Sequence, residues 1–374
     1  MIWLAFFWVS AGAMVYSYAL YPLLLRLAPK RRELPCADPL EWPSVSVLLS
    51  VYNEEKYVAA RIENLLALDY PAGKLEILIG SDGSDDRTNE IVSRYTDPRV
   101  QLHLITPRGG KPCVLKRLAD GAQHELFAFT DANTFWQPDT LKKLARHFVD
   151  PRVGGVCGRL VFHGKDARTD EGPYWRLETH LKTRESEVDS CLGANGAIYA
   201  IRRAVWPDIP DNTFVDDFVI GMRVRERGLR VLYDTEAVAN EELPPSVGHE
   251  MTRRIRIGAG DFQALALCWR SLLPWRGLYT WSFWSHKVLR WFGPFFMLGA
   301  LVANIFLLPK PIFLVIMILQ LLFYALALAG VVVRRKLMLF SVPHYFVVIN
   351  LALLLGFFRY LTGTQSAAWK RTAR

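Results

Sequence analysis

Four stretches of this chain run for 18 residues or more without an Asp, Glu, Lys or Arg: Ile2–Leu25, Trp291–Leu308, Pro311–Val333 and Leu337–Phe358. The first has 24 residues, which as a helix would reach about 36 Å, enough to cross the hydrocarbon core of a bilayer. A cleaved signal peptide has a basic start and a shorter apolar stretch. The first run has neither, so a retained anchor is expected over 1–28, with C-terminal transmembrane helices over 291–362. Pro309-Lys310-Pro311 is a turn short enough to fold the second and third runs into a hairpin.

The charge follows the same plan. The formal net charge is +9, and ten basic residues flank the apolar runs: Arg26, Lys30, Arg31, Arg32, Arg334, Arg335, Lys336, Lys370, Arg371 and Arg374. Without them the remainder is close to neutral. A nucleic-acid binder carries its positive charge as a patch on the folded body, so nucleic acid is disfavoured as a partner and membrane lipids are favoured. The cluster after the first run places the following residues in the cytoplasm, which makes the chain a multi-pass protein of the inner membrane. One span ahead of the body and three behind it would put the tail outside, yet the tail at 363–374 is basic. Either the last run, interrupted at Pro343-His344, re-enters rather than crosses, or the charge rule fails locally. Between body and spans, at 266–290, Trp275, Trp281 and Trp284 alternate with Arg270, Arg276, Lys287 and Arg290. That mixture suits either an interfacial amphipathic helix along the headgroups or a packed juxtamembrane loop.

With 51% apolar residues the chain is neither disordered nor collagen-like. Its five cysteines, at 36, 113, 157, 191 and 268, form no C-x-x-C pair. A disulfide framework or zinc site is not expected, and a reducing compartment fits.

Residues 43–265 read as an α/β body. Strands are expected at Val45–Val51, Leu75–Ser81, Val100–Ile105, Leu126–Thr130, Val156–Phe162 and Gly196–Ile201. Val58, Ile62, Leu65 and Leu66 form the apolar stripe of a helix between the first two. Such alternation predicts a mostly parallel sheet, in which ligands bind beyond the carboxyl ends of the strands. Polar residues gather at those ends: Tyr52, Asn53 and Glu54; Asp82, Gly83 and Ser84; Asp131 and Asn133. Singly, each group suits a turn or a helix cap; together on one edge they mark a ligand site.

The stretches V-S-V-L-L-S-V-Y-N-E-E (45–55), L-I-G-S-D-G-S-D-D-R-T (78–88), G-G-K-P (109–112), F-T-D-A-N-T (129–134), V-D-D-F (215–218) and R-R-I-R-I-G-A-G (253–260) occur in this order. In order and spacing the chain resembles glycosyltransferase family 2, in particular its membrane-embedded cellulose, hyaluronan and poly-N-acetylglucosamine synthase-like members. The resemblance implies a GT-A-like (Rossmann-like) cytoplasmic domain and transfer of a sugar from a UDP-sugar.

Such a transfer needs a base pocket, neutralisation of a departing diphosphate, and a group to deprotonate the acceptor. Asp82 and Glu54 either accept from uracil N–H or hold the loop that does; the resemblance places Asp82 in the donor site, with Tyr52 lining the pocket. Lys111, behind Gly-Gly and opening a helix, is placed either to meet phosphate or as an ordinary exposed lysine. Asp131-Ala132-Asn133 stands at the family's D-x-D, which implies Mg²⁺ or Mn²⁺ held by Asp131 and Asn133. The second acid is here an amide, which ligates without bringing charge.

Asp216-Asp217 stands at the family's Glu-Asp, just before a helix expected over 218–227, and the match makes Asp217 the general base; helix capping is the other reading. Arg253-x-x-Arg256-Ile257 stands at the family's Q-x-x-R-W, which implies Arg256 at the donor and Arg253 at the acceptor or diphosphate. Trp369 and Arg374 match the Trp-containing basic tail of polymer-forming members.

Three functions follow. The first is an inverting β-glycosyltransferase extending a cell-surface glycan, and the second a single sugar transfer to a polyprenyl-phosphate carrier. The third is a non-catalytic scaffold that kept the fold, supported only by Asn133 and Ile257.

Overall fold

The computed structural model describes residues 1–31, 38–163, 173–242, 247–332 and 337–366. Arg32, Cys36, Arg334, Arg335, Lys336, Trp369 and Arg374 lie outside the described residues. The chain divides into two compact units. One is α/β and comprises Ala28–Pro245 with Leu267–Tyr279; the other is helical and comprises Met1–Leu27, Ser246–Ala266 and Thr280–Gln365.

Helices α1 (Ile2–Val15) and α2 (Tyr21–Leu27) open the helical unit, joined without a break by a π-helical turn, Tyr16–Leu20. The α/β unit contributes α3 (Val58–Leu66), α4 (Thr88–Ser93), α5 (Lys111–Gly121), α6 (Thr140–Ala145), α7 (Pro173–Val188) and α8 (Asp216–Glu226). Its strands are β1 (Val45–Val51), β2 (Leu75–Asp82), β3 (Val100–Ile105), β4 (Leu126–Thr130), β5 (Thr134–Trp136), β6 (Val153–His163), β7 (Tyr199–Arg202) and β8 (Arg230–Glu242).

The eight strands form one sheet in the order β3-β2-β1-β4-β7-β6-β8-β5. Pairs β1–β2, β2–β3, β1–β4 and β6–β8 are parallel, whereas β7 runs against both of its neighbours and β5 runs against β8. This is a mixed, mostly parallel GT-A (Rossmann-like) fold. Central strands such as V-S-V-L-L-S-V read as nearly continuous apolar runs because helices cover both faces of the sheet. Val47, Leu49, Ile77, Ile79 and Ala128 meet Val58, Ile62 and Leu65 of α3 in one hydrophobic core.

Two strands were not legible in the sequence. Strand β5 has three residues, too few to display a period. Strand β8 carries Arg230 and Asp234, which break its apolar run, but both are buried with partners: Arg230 donates to the carbonyls of Asp189 and Ser186, and Asp234 accepts from Arg146. Strand β7 begins at Tyr199, three residues later than expected, because Gly193–Gly196 form a loop with Gly193 at φ +70°. Helix α8 begins at Asp216 rather than Phe218, so both aspartates belong to its first turn.

Helix α9 (Val247–Leu267) is followed by two 3₁₀ turns, Trp269–Leu272 and Pro274–Arg276, rather than by one amphipathic helix. Pro274 and Gly277 (φ +83°) break the run. Next come α10 (Leu278–Ser282), a π-helical turn at Phe283–Val288, α11 (Leu289–Trp291) and α12 (Gly293–Leu307). The axis bends by 61° between α11 and α12. Trp275 and Trp284 are exposed, but Arg290 is buried, with its guanidinium donating to the Ser17 carbonyl and lying 4.5 Å from the Tyr18 ring centre.

Helices α13 (Pro311–Val332) and α14 (Met338–Leu361) complete the unit. Helix α14 continues through Pro343, which corrects the expected interruption at Pro343-His344. Proline there removes one N–H from the second turn, a loss that neighbouring helices tolerate. Ile2–Leu27, Pro311–Val331 and Met338–Leu361 are long and apolar enough to cross a membrane, and the bent pair Leu278–Trp291 with Gly293–Leu307 would make a fourth.

Small residues let these helices approach closely. A Cβ on Gly356 would lie 2.6 Å from the Ala259 nitrogen of α9, a backbone atom that cannot swing away. Gly356→Val is therefore expected to destabilise the detergent-solubilised protein by about 1–3 kcal/mol, read as a lowered thermal midpoint, whereas Gly12→Ala, inside α1 and meeting nothing within 4 Å, does not lower the midpoint.

Candidate active site

The site is built from the α/β unit, beyond the carboxyl ends of β1, β2 and β4. The loops after β1 and β2 are tied together: the Asn53 N–H donates to Ser84 Oγ at 3.1 Å and the Glu54 N–H to Thr88 Oγ1 at 2.8 Å. The Glu54 carbonyl accepts from the N–H groups of Tyr57 and Val58, the entry to α3. The backbones of Asn53 and Glu54 thus make the turn and the helix entry.

Asp82 ends β2 almost fully buried. Its Oδ1 accepts from the Gly109 N–H at 2.8 Å and its Oδ2 from the Gly110 N–H at 3.0 Å. Of the two roles open to Asp82, holding a loop is the one the geometry displays. Arg108, which the sequence reading missed, reaches Asp82 Oδ2 at 3.4 Å and lays its guanidinium 3.5 Å from the centre of the Tyr52 ring. A planar cation on an aromatic face beside a buried carboxylate makes a stacking platform with polar edges. The signal that could have found it is its place, immediately before Gly109-Gly110.

The anchored Gly-Gly turn, with Gly110 at φ +85°, delivers Lys111 as the first residue of α5. Its ammonium donates to Asp131 Oδ1 at 2.7 Å, so it is not an ordinary exposed lysine. Burial works against its charge, but Asp131, Asp216 and Asp217 outweigh that and raise its pKa.

Asp216 is 8% exposed, and its Oδ2 is buried without a hydrogen-bond partner. Burial pushes its pKa up to about 6; Lys111 pulls against the shift, while Asp217 and Asp131 add to it. Asp217 is held differently: Oδ2 accepts from the Gly196 N–H at 2.7 Å and Oδ1 from the Phe218 N–H at 2.8 Å. Residue 196 is glycine because a Cβ there would sit 3.0 Å from that same Oδ2. The loop Gly193-Ala194-Asn195-Gly196 is thus a part of the site that the strand expected at Gly196–Ile201 concealed.

A second cation lies beneath Asp131. Arg61 of α3 is fully buried and donates to Thr130 Oγ1 at 2.7 Å and to Asn64 Oδ1, with its Nε left without a partner. Burial lowers its pKa to about 9, and Asp131 is the charge that opposes the shift. Asn133 donates through Nδ2 to Glu241 Oε1 at 2.9 Å.

Asp82, Lys111, Asp131, Asp216 and Asp217 therefore share one connected site, with Tyr52 and Glu54 on its first loop and Asn133 on its last. Arg253 and Arg256 lie on α9 in the helical unit, where Arg253 donates to Glu250 at 3.0 Å. Among the described residues no three His, Cys, Asp or Glu side chains form a metal-binding group. The donor set still suits a hard cation: Mg²⁺ is commonly held by one or two carboxylates and completed by substrate phosphates, and Asp131 and Asn133 offer a carboxylate and an amide carbonyl.

Residues 46–206 match the family model described as glycosyl transferase family 2. The chain carries a glycosyltransferase family 2 domain. It is 25% identical over 274 residues to an N-acetylglucosaminyltransferase of Rhizobium sp. (strain N33), covering 68% of this chain and 60% of that protein. It is 22% identical over 272 residues to a poly-beta-1,6-N-acetyl-D-glucosamine synthase of Staphylococcus aureus (strain COL), covering 71% and 64%. The chain thus matches less than two thirds of the length of these relatives. A mannosyltransferase of Pyrobaculum calidifontis, solved with GDP-Man and Mn²⁺, shares the fold over 97% of this chain and 99% of that one, with a TM-score of 0.75 at 22% identity. Tyr52, Asp82, Lys111, Asp131 and Asn195 lie inside the matched family 2 segment, whereas Asp216, Asp217 and Glu241 follow it.

The raised pKa of Asp216 has a consequence for stability. Between about pH 4 and 6 the unfolded carboxyl loses its proton before the folded one, so wild-type stability falls as pH rises through that window. Asp216→Asn removes the effect. The variant should gain about 1–3 kcal/mol relative to wild type between pH 4 and pH 7, measured by denaturant unfolding in detergent; a difference independent of pH would contradict the assignment.

Proposed function

We propose that this protein is an inverting, membrane-bound β-glycosyltransferase that moves a sugar from a UDP-sugar to a growing cell-surface glycan. The observation that carries the proposal is the partly buried Lys111 ammonium on Asp131, with Asp216 and Asp217 in its field. That arrangement suits a departing diphosphate on one side and a proton acceptor on the other. The names of the curated relatives make N-acetylglucosamine the first sugar to test.

In this reading the nucleobase packs against the platform that Tyr52 and Arg108 form, beside the loop that Asp82 anchors. Lys111 meets the diphosphate at the N-terminus of α5, where backbone N–H groups also favour anions. Asp131 and Asn133 would hold Mg²⁺ or Mn²⁺, which when bound neutralises charge on the leaving diphosphate. Asp217, steadied by two backbone N–H groups, keeps lone pairs for the acceptor hydroxyl and takes its proton as that oxygen attacks the anomeric carbon. One base with no second carboxylate nucleophile assigned fits inversion. Arg253 and Arg256, with Trp369 and Arg374 of the tail, are assigned to the acceptor and diphosphate. The apolar helices and the basic residues Arg26, Lys30 and Arg31 support the reading of a multi-pass protein of the inner membrane with its catalytic domain in the cytoplasm.

The test is incubation of the purified full chain in lipid with Mn²⁺ or Mg²⁺ and a panel of labelled UDP- and GDP-sugars, followed by sizing of the product. A glycan chain supports the proposal, an organic-extractable monosaccharide lipid supports transfer to polyprenyl phosphate, and no turnover with any donor refutes both. Asp217→Asn should bind UDP as wild type does and lose at least about 100-fold in transfer rate. Near-normal transfer by that variant would remove Asp217 as the base.

A further inference from the structure

The motif position Asn133 and the distant residue Glu241 explain one another. Strand β5 is three residues long, yet its antiparallel pairing sets Thr134 opposite Glu241 of β8. That register brings Glu241 Oε1 to 2.9 Å from Asn133 Nδ2, two residues from Asp131 and 108 positions away in the chain. An amide has one donating end and one accepting end. With Nδ2 committed to Glu241, Oδ1 points away from that carboxylate and is the end left to face a ligand. An aspartate at 133 would set two carboxylates against each other at hydrogen-bond distance, which like charges do not tolerate.

Resting on the nucleotide-sugar reading above, we infer that Glu241 is a positioning residue of the divalent-cation and diphosphate site. It fixes the Asn133 amide so that its carbonyl oxygen serves as a ligand, and it returns, one hydrogen bond away, the negative charge that Asn133 lacks. The pair thus keeps the charge of a two-acid motif while distributing it over β8. Hydrogen-bonded outer partners of this kind orient metal ligands and raise their donor strength, and their loss typically lowers metal affinity by about 10–100-fold.

Binding of Mn²⁺ to the full chain in detergent, in the presence of UDP and read from the electron paramagnetic resonance of free Mn²⁺, tests this without turnover. Glu241→Ala should weaken Mn²⁺ binding by about 10-fold or more. Glu241→Gln, which keeps an acceptor oxygen for Asn133 but not the charge, should fall between wild type and Glu241→Ala. In the double variant Asn133→Asp/Glu241→Ala the carboxylate returns to the motif itself, and affinity should recover to near wild type. A merely structural Glu241 would give no such rescue. Wild-type Mn²⁺ binding by both single variants, or a double variant as weak as Glu241→Ala, overturns the role of Glu241 alone. Wild type that binds no Mn²⁺ with UDP present overturns the cation site as well.

Discussion

The partly buried ammonium of Lys111 is the charge on which the rest of the site depends. Burial raises the pKa of Asp216, the neighbouring charges of Asp217 and Asp131 add to the shift, and Lys111 is the cation that opposes it. Lys111 reaches its place because α5 starts immediately after Gly110, and Gly110 is where it is because Asp82 holds two consecutive N–H groups of the turn. A carboxylate at the end of β2 thus sets the position of a cation at the end of β4. The positive charge is installed before any ligand arrives, which is the preorganisation that makes electrostatic stabilisation effective.

Arg61 brings a second positive charge near Asp131 from within the core. It makes no contact with an acid among the described residues: its hydrogen bonds go to Thr130 and Asn64, and the Thr130 hydroxyl in turn donates to the Ala197 carbonyl. The same carbonyl accepts from the Trp136 indole. One buried network therefore ties α3, the end of β4, β5 and the 193–197 loop together, and that loop presents the Gly196 N–H to Asp217. Burying an arginine without a contacting acid is costly, and the anionic site above is what offsets it.

The helical unit follows a different rule, since polar groups there have only each other. Its π-helical turns Tyr16–Leu20 and Phe283–Val288 carry Tyr16, Ser17, Tyr18 and Ser285, and the partners Trp281 and Arg290 flank the second turn. Tyr16 shares a hydrogen bond with Ser285 and accepts from Trp281, while Arg290 spans Ser17 and Tyr18. Wide turns inside helices free backbone carbonyls and turn side chains inward, which gives the Arg290 guanidinium the Ser17 oxygen it needs at an otherwise apolar depth.

Apolar run lengths, the 3.6-residue stripe of α3 and the continuous apolar strands β1, β2 and β4 were readable because each depends on neighbours within a few positions. So were Lys111, Asp131 and Asp217 as candidates, since turn chemistry and motif order are local. Strands β5 and β8, the late start of β7, the broken segment 269–291 and the unbroken α14 were not, because long-range pairing or packing overrode local pattern. The same holds for function. The sequence by itself determined which chemical groups the chain owns and that its polar residues cluster at strand ends. Tertiary structure alone decided that Arg108 stacks on Tyr52, that Arg61 lies under Asp131, that Asp216 is buried with an unbonded oxygen, and that Glu241 meets Asn133. Each of these contacts joins residues far apart in the chain, and its energy depends on burial and distance, which no local spacing encodes.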